Sequence, residues 1–205
     1  MLKVGLTGGY ASGKTFVASE LERLGCHVIR ADELGHAVLL PQGEAYAPTI
    51  ETFGDSILNP DRTVERSKLA TIVFAAPELL EKLNSFVHPA VFRLEKQMLT
   101  AFEAEDPFGI AVLEAAILIE TGRYTRFDQL ILTACEEETQ IARGMKRDRL
   151  TREQVLVRLA NQMPLEEKKK YAHYIVDTSG DKQQTRNQID AIYRELRRLA
   201  EAQQT

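Results

Sequence analysis

The chain begins with a short apolar, β-rich run over 2–7, stopped by two glycines. A run with so little polar alternation reads as a strand buried on both faces, as in a parallel sheet. Over 14–24 the apolar residues Phe16, Val17, Leu21 and Leu24 recur at helical spacing, and Gly25 ends the pattern. Residues 27–30 are a second strand candidate and lead into Asp32. Between 41 and 66, Pro41, Gly43, Pro48, Gly54 and Pro60 interrupt the strand–helix rhythm. Residues 67–105 return to helical spacing through Leu69, Ile72, Val73, Phe74, Leu79, Leu80, Leu83, Val91, Leu94 and Met98. The His88-Pro89 pair predicts a boundary between two of these helices, because a residue before proline is pushed out of the helical region.

Residues 109–113 and 128–135 are further buried-strand candidates. Helices are predicted over 136–145 and 151–162, the second opened by Thr151 and Gln154 at capping-box spacing. A last strand, 174–177, closes at Ser179 and Gly180, and 182–203 form an amphipathic helix through Ile189, Ile192, Tyr193, Leu196 and Leu199. This alternation predicts a three-layer α/β fold with a mostly parallel sheet covered on both faces. The helices of 40–105 read as an insertion between strands two and three. In such sheets ligands bind at the carboxyl ends of strands.

Length and composition narrow the picture. With 205 residues the chain suits one compact domain carrying an insertion, and 44% hydrophobic residues exclude a disordered chain. The net charge of −4 argues against a general nucleic-acid binder. Residues 143–170 depart from that balance, with nine Lys/Arg against four Asp/Glu. Such a patch implies either a confined anionic ligand or a solvated helix face. Cys26 and Cys135 lie far apart in strand-like runs and are expected as buried free thiols, with no zinc spacing. Neither a signal-peptide pattern nor an apolar run of about 20 residues occurs, so a cytoplasmic protein with no membrane contact is expected.

The strongest chemical signal is Gly8-Gly9-Tyr10-Ala11-Ser12-Gly13-Lys14-Thr15, a full match to G-x-x-x-x-G-K-[ST] between a strand and a helix. The glycines let successive backbone N–H groups turn inward around an oxyanion, and the helix adds its positive end. Lys14 is positioned by the motif to reach the β- and γ-phosphates of a nucleotide, and the Thr15 hydroxyl to ligate magnesium. Asp32, just past the second strand, suits a general base for an acceptor hydroxyl or a holder of a magnesium water; the competing reading is a helix N-cap. Gln140, Arg143 and Arg147 share one helix face, and Arg147, Arg149 and Arg158 follow in the basic segment. Guanidinium groups on a mobile cover suit a transferring phosphoryl group; the alternative is surface arginines paired with Asp148 and Glu153. No N-K-x-D tetrapeptide is present to read guanine.

Over roughly 3–180 these residues resemble the dephospho-coenzyme A kinase family. The loop from Leu6 to Thr15 is similar to the family's L-T-G-G and S-G-K-[ST] elements, and Asp32 matches the last acid of its D-A-D. Leu83 to Pro89 matches L-x-x-x-x-H-P, and Glu114 to Glu120 follows D-x-P-L-L-F-E in outline. Arg147-Asp148 and 155–163, with Arg158 and Gln162 in register, are similar to the family's cover, and Asp177 to Gly180 to its D-N-S-G.

The resemblance implies transfer of the ATP γ-phosphoryl group to the 3′-hydroxyl of dephospho-coenzyme A, with ATP and Mg2+ as cofactors. It implies Asp32, Lys14 and Arg147 as catalytic residues. It implies nucleotide contacts from Gly8, Gly9, Ala11, Ser12, Gly13, Lys14, Thr15, Phe16, Arg143, Ser179 and Gly180. Asp32, His88, Glu120 and Arg158 would meet the acceptor, and Thr15 the metal; 147–165 would form the lid. For His88 a purely structural role at a helix junction stands beside acceptor contact. Three departures stand out. Arg30 replaces the first acid of D-A-D and puts a positive charge beside the implied base. Phe16 replaces a second hydroxyl, leaving a backbone N–H, and Glu114 and Ala116 alter the acceptor-side loop. Competing functions are another small-molecule kinase, such as one acting on nucleoside monophosphates, and a nucleotide-binding regulator without acceptor chemistry.

Overall fold

A computed structural model describes residues 1–203 and divides into two compact units. The first combines Met1–Ile29 with the chain from Phe102 onward; the second is Arg30–Ala101.

Among the described residues the first unit holds a five-stranded sheet of order β2-β3-β1-β4-β5. Its strands are β1 (Leu2–Gly8), β2 (His27–Arg30), β3 (Ile110–Glu114), β4 (Gln129–Ala134) and β5 (Tyr174–Asp177). β1 runs parallel to both β3 and β4, with Leu6 opposite Glu114 on one side and Gly8 opposite Thr133 on the other. β4 and β5 are also parallel. Leu2, Val4 and Leu6 of the central strand are buried, as the continuous apolar run requires of a strand covered on both faces.

Helix α1 (Lys14–Arg23) packs Val17, Ala18 and Leu21 into one core with Ile189, Ile192, Leu196 and Ala200 of the C-terminal helix (Lys182–Ala202). The carboxylate of Glu20 holds the two helices together, 2.8 Å from Arg23 and 2.9 Å from Arg186. Cys26 and Cys135 are free and buried. Burial pushes the Cys26 thiol up to about 12, which leaves it protonated and inert.

The second unit is helical: α2 (Ala31–Ala37), α3 (Tyr46–Phe53), a 3-10 turn at Asp55–Ile57, α4 (Arg66–Ala75) and most of α5 (Pro77–Glu105). Its core gathers Ile57, Val64, Leu69 and Val73 around Tyr46, Ile50 and Leu83, beside a second cluster of Val38, Ala45 and Ala90. α3 occupies part of the stretch that proline and glycine punctuate, with Pro48 in its first turn, where a missing N–H costs nothing.

The boundary expected at His88-Pro89 does not exist. α5 is one helix of 29 residues with Pro89 inside it. Proline removes the N–H that would bond the Ser85 carbonyl, a local cost. Phe86, Val87, Ala90, Val91 and Leu94 pack along the same helix and offset it, while His88 and Pro89 stay exposed. Tertiary burial outweighs the local preference here.

The remaining helices belong to the first unit: α6 (Glu137–Asp148), α7 (Arg152–Ala160), α8 (Leu165–Lys169) and α9, the C-terminal helix above. The Thr151–Gln154 capping box forms in both directions. α8 has no counterpart in the sequence pattern, because its single turn is mostly charged. Among the described residues no helix is long and apolar enough to cross a membrane.

Candidate active site

The phosphate loop follows directly from the central strand. Gly8 is a glycine because of crowding: a Cβ there would lie 1.9 Å from Thr133 Oγ1 of the neighbouring strand. Gly13 has φ of 86°, which disfavours a side chain, and Ala11 is left-handed as well, with φ of 54°. These turns let the loop curl back on itself, with Ser12 N–H bonding Gly9 O at 3.2 Å. Lys14 Nζ donates to Gly8 O at 3.0 Å and Gly9 O at 2.9 Å, so its ammonium lies against the loop. The Ser12 hydroxyl is buried and bonded to Thr133 Oγ1 at 2.6 Å, a structural use. The Phe16 N–H bonds Gly13 O at 3.1 Å inside the first helical turn, and the ring lies beneath Lys182 and Arg186.

Thr15 is exposed at the start of α1, and its Oγ1 donates to Glu114 Oε1 at 3.2 Å. A hydroxyl and a carboxylate at the ends of adjacent elements are hard oxygen donors of the kind magnesium accepts beside phosphates. Among the described residues no group of three or more His, Cys, Asp or Glu forms a closed cage. Two such donors, a hydroxyl and a carboxylate, fit an ion whose other ligands come from a polyphosphate. Sequence reasoning does not single out Glu114 as a metal ligand. Its one signal there is its departure from the family's aspartate at the end of a strand.

The predicted face of α6 looks onto the loop. Gln140 Nε2 donates to Tyr10 O at 2.9 Å, and Gln162 Oε1 accepts from Tyr10 N at 2.7 Å. Arg147 lies over the Tyr10 ring at 5.0 Å and Arg158 at 5.3 Å. Both arginines also meet Asp148: Arg147 Nε at 2.8 Å and Nη2 at 3.0 Å, Arg158 Nη1 at 3.2 Å. The Tyr10 hydroxyl donates to the same carboxylate. These partners, Arg147 foremost and then the Tyr10 hydroxyl, hold the Asp148 carboxyl down at about 2. The expected pairing with Asp148 forms, and the same two arginines lie over Tyr10 of the loop.

Arg143 is committed to the chain itself. It donates to Thr178 O at 2.6 Å, Thr178 Oγ1 at 3.1 Å and Cys135 Sγ at 3.4 Å. Thr178 in turn donates to Ser12 O at 2.8 Å, so Arg143 ties the turn after β5 to the phosphate loop. Ser179 is fixed between Asp177 Oδ1, which accepts its N–H at 2.8 Å, and Glu136 N, which donates to its hydroxyl at 3.0 Å. Gly180 then leads into Asp181, the N-cap of α9.

Asp32 does not cap its helix. It is the second residue of α2, whose N-cap is Arg30, without a side-chain cap bond. Arg30 Nε lies 3.9 Å from Glu33 Oε1. His88 is exposed in mid-helix, which removes the junction role. Glu120 Oε1 lies 2.7 Å from Nζ of Lys168, a fully buried lysine of α8. The contact is close but poorly directed as a hydrogen bond, so the attraction is chiefly electrostatic. Lys168, Gly9, Gln140 and Gln162 share the lining of a cavity of about 290 Å³. Nothing in the sequence pattern marks Lys168 beyond its place in a run of three lysines.

A family model described as dephospho-CoA kinase matches residues 2–184. A dephospho-CoA kinase of Geobacter metallireducens is 40% identical over 195 residues, 95% of this chain and 96% of that protein. A solved structure from Thermus thermophilus superimposes with TM-score 0.79 at 32% identity, covering 95% of this chain and 97% of that one. A dephospho-CoA kinase structure from Campylobacter jejuni, 24% identical with TM-score 0.73 over 96% and 97% of the two chains, has the same fold.

Proposed function

The chain belongs to the dephospho-CoA kinase family, and on that basis we propose its reaction in detail: the 3′-hydroxyl of the dephospho-CoA ribose attacks the γ-phosphorus of ATP. The new O–P bond forms as the bond from Pγ to the β,γ-bridging oxygen breaks, giving CoA and ADP. The proton of the attacking hydroxyl passes to Asp32. The observation that carries this reading is the family match over 2–184, joined to a phosphate loop whose Lys14 already lies against its own backbone.

Catalysis of this kind is mostly positioning and charge stabilisation. The backbone of Gly8, Gly9, Ala11, Ser12 and Gly13 cradles the phosphates, and Lys14 neutralises charge on the transferring group. Arg147 and Arg158 bring guanidinium forks from the lid, 147–165, and exclude water. Thr15, with Glu114 beside it, would hold Mg2+, which would neutralise phosphate charge when bound. Ser179 and Gly180 border the nucleotide base. Glu120, kept in place by Lys168, and His88 contact the acceptor, to which the helical segment 40–105 contributes. The enzyme works in the cytoplasm on these small molecules.

Arg143 is better read as a brace than as a nucleotide contact, since three of its bonds go to Thr178 and Cys135. Asp32 lies in the first turn of α2, whose N-cap is Arg30, so capping that helix does not compete with its use as a base. Asp32→Asn should lower kcat by about 10²–10⁴-fold while ATP affinity, measured by calorimetry, stays within about threefold. Unchanged kcat in this variant assigns the proton to another group.

A further inference from the structure

Tyr10 occupies a position at which the phosphate-loop motif accepts any residue. Its surroundings are nevertheless highly specified. Its backbone is held on both sides, by Gln140 from α6 and Gln162 after α7. The ring lies on α6 where Gly144 has no side chain: a Cβ at Gly144 would come within 2.6 Å of Tyr10 Cε1. Two guanidinium groups from different helices lie over the ring, and the phenol donates to the carboxylate that both arginines share.

We propose that Tyr10 is a positioning residue for the lid: its ring is the platform, and Asp148 the clamp, that hold Arg147 and Arg158 beside the phosphate loop before nucleotide arrives. Long, flexible arginine side chains lose rotamer freedom when they bind phosphate. Stacking on an aromatic face and pairing with one carboxylate remove much of that freedom in advance. The clamp uses Nε and Nη2 of Arg147 and Nη1 of Arg158, so each fork keeps at least one further nitrogen to offer a phosphoryl oxygen. The arrangement therefore favours a ready lid over a sequestered one. Neither Tyr10 nor Gly144 carries a motif signature, and the two are linked only by packing.

The inference rests on the kinase reading for its rate arm and on the geometry alone for its exchange arm. Y10F keeps the platform, whereas Y10L removes it. With saturating ATP and dephospho-CoA, kcat should fall about tenfold in Y10L, with KM for ATP changing less than about threefold, and Y10F should stay within about threefold of the parent. Without nucleotide, amide exchange over 147–162 should quicken in Y10L and not in Y10F. D148N, which leaves the ring in place, should quicken the same amides and serves as the second variant if Y10L folds poorly. The proposal is overturned if Y10L keeps kcat within about twofold and exchange unchanged. It is also overturned if Y10F falls as far as Y10L, or if only KM rises. A parent protein that forms no ADP with dephospho-CoA refutes the proposed reaction, and the exchange comparison then decides the lid inference by itself.

Discussion

Among single residues, the site is a set of charges whose partners are fixed by the backbone. Asp148 shows this most clearly. Its carboxyl is held down from an ordinary 3.8 to about 2 by Arg147 first and then by the Tyr10 hydroxyl, with burial opposing. A folded-state value below the unfolded one contributes stability that is present above about pH 4 and lost as pH falls toward 2. The difference in thermal midpoint between the parent and D148N should be steady at about pH 5–7 and shrink between about pH 4 and pH 2. A difference independent of pH over that range contradicts the assigned partners. Lys14 and Thr15 stand out in the sequence because they fall in a fixed motif, and the structure gives that motif the expected strand before and helix after. Tyr10, Glu114 and Lys168 are not, because each acts through a residue on a distant part of the chain. Tyr10 lies 138 positions from Asp148, and Thr15 lies 99 from Glu114. Lys168 likewise reaches back to Glu120, and spacing along one element does not report such pairs.

Among the elements, strands and long amphipathic helices are legible because burial on one or two faces leaves a period in the sequence. All five strands lie within a residue or so of the apolar runs that predict them. α5 departs from the sequence pattern because the His88-Pro89 pair reports a local preference, while the apolar residues on either side report the packing that overrides it. α3 and α8 leave no clear stripe for related reasons, one hidden by prolines and the other too short and charged.

The junction of α1 with α9 offers a quantitative check. Glu20 is nearly buried and bonded to Arg23 and Arg186, both partly exposed. Glu20→Gln should cost about 1–2 kcal/mol at pH 7 by urea denaturation, below the range for a fully buried pair because the arginines stay hydrated. Arg23 first, then Arg186, lowers the Glu20 carboxyl from its ordinary value. The contribution is therefore present above about pH 4.5 and fades as pH falls below it. A loss that stays constant down to about pH 3 contradicts an ionic origin.

Across the whole molecule, a chain of net charge −4 carries a local excess of positive charge over residues 143–170, and Arg147 and Arg158 of that segment lie over Tyr10 of the glycine-rich loop. An acidic body with a confined basic site suits a small anionic ligand better than a nucleic-acid backbone. The family is legible from several short motifs in order over most of the chain, and the match over 2–184 agrees with it. Departures from the pattern at Arg30, Phe16 and Glu114 find partners of their own, in Glu33, in Lys182 and Arg186, and in Thr15.

The decisive experiment is ADP release by the purified protein with ATP and magnesium, followed across acceptors. Release should depend on dephospho-CoA, run at least about a hundredfold slower with nucleoside monophosphates, and vanish in Lys14→Ala. Turnover with nucleoside monophosphates and none with dephospho-CoA, or full activity in Lys14→Ala, would refute the proposed reaction.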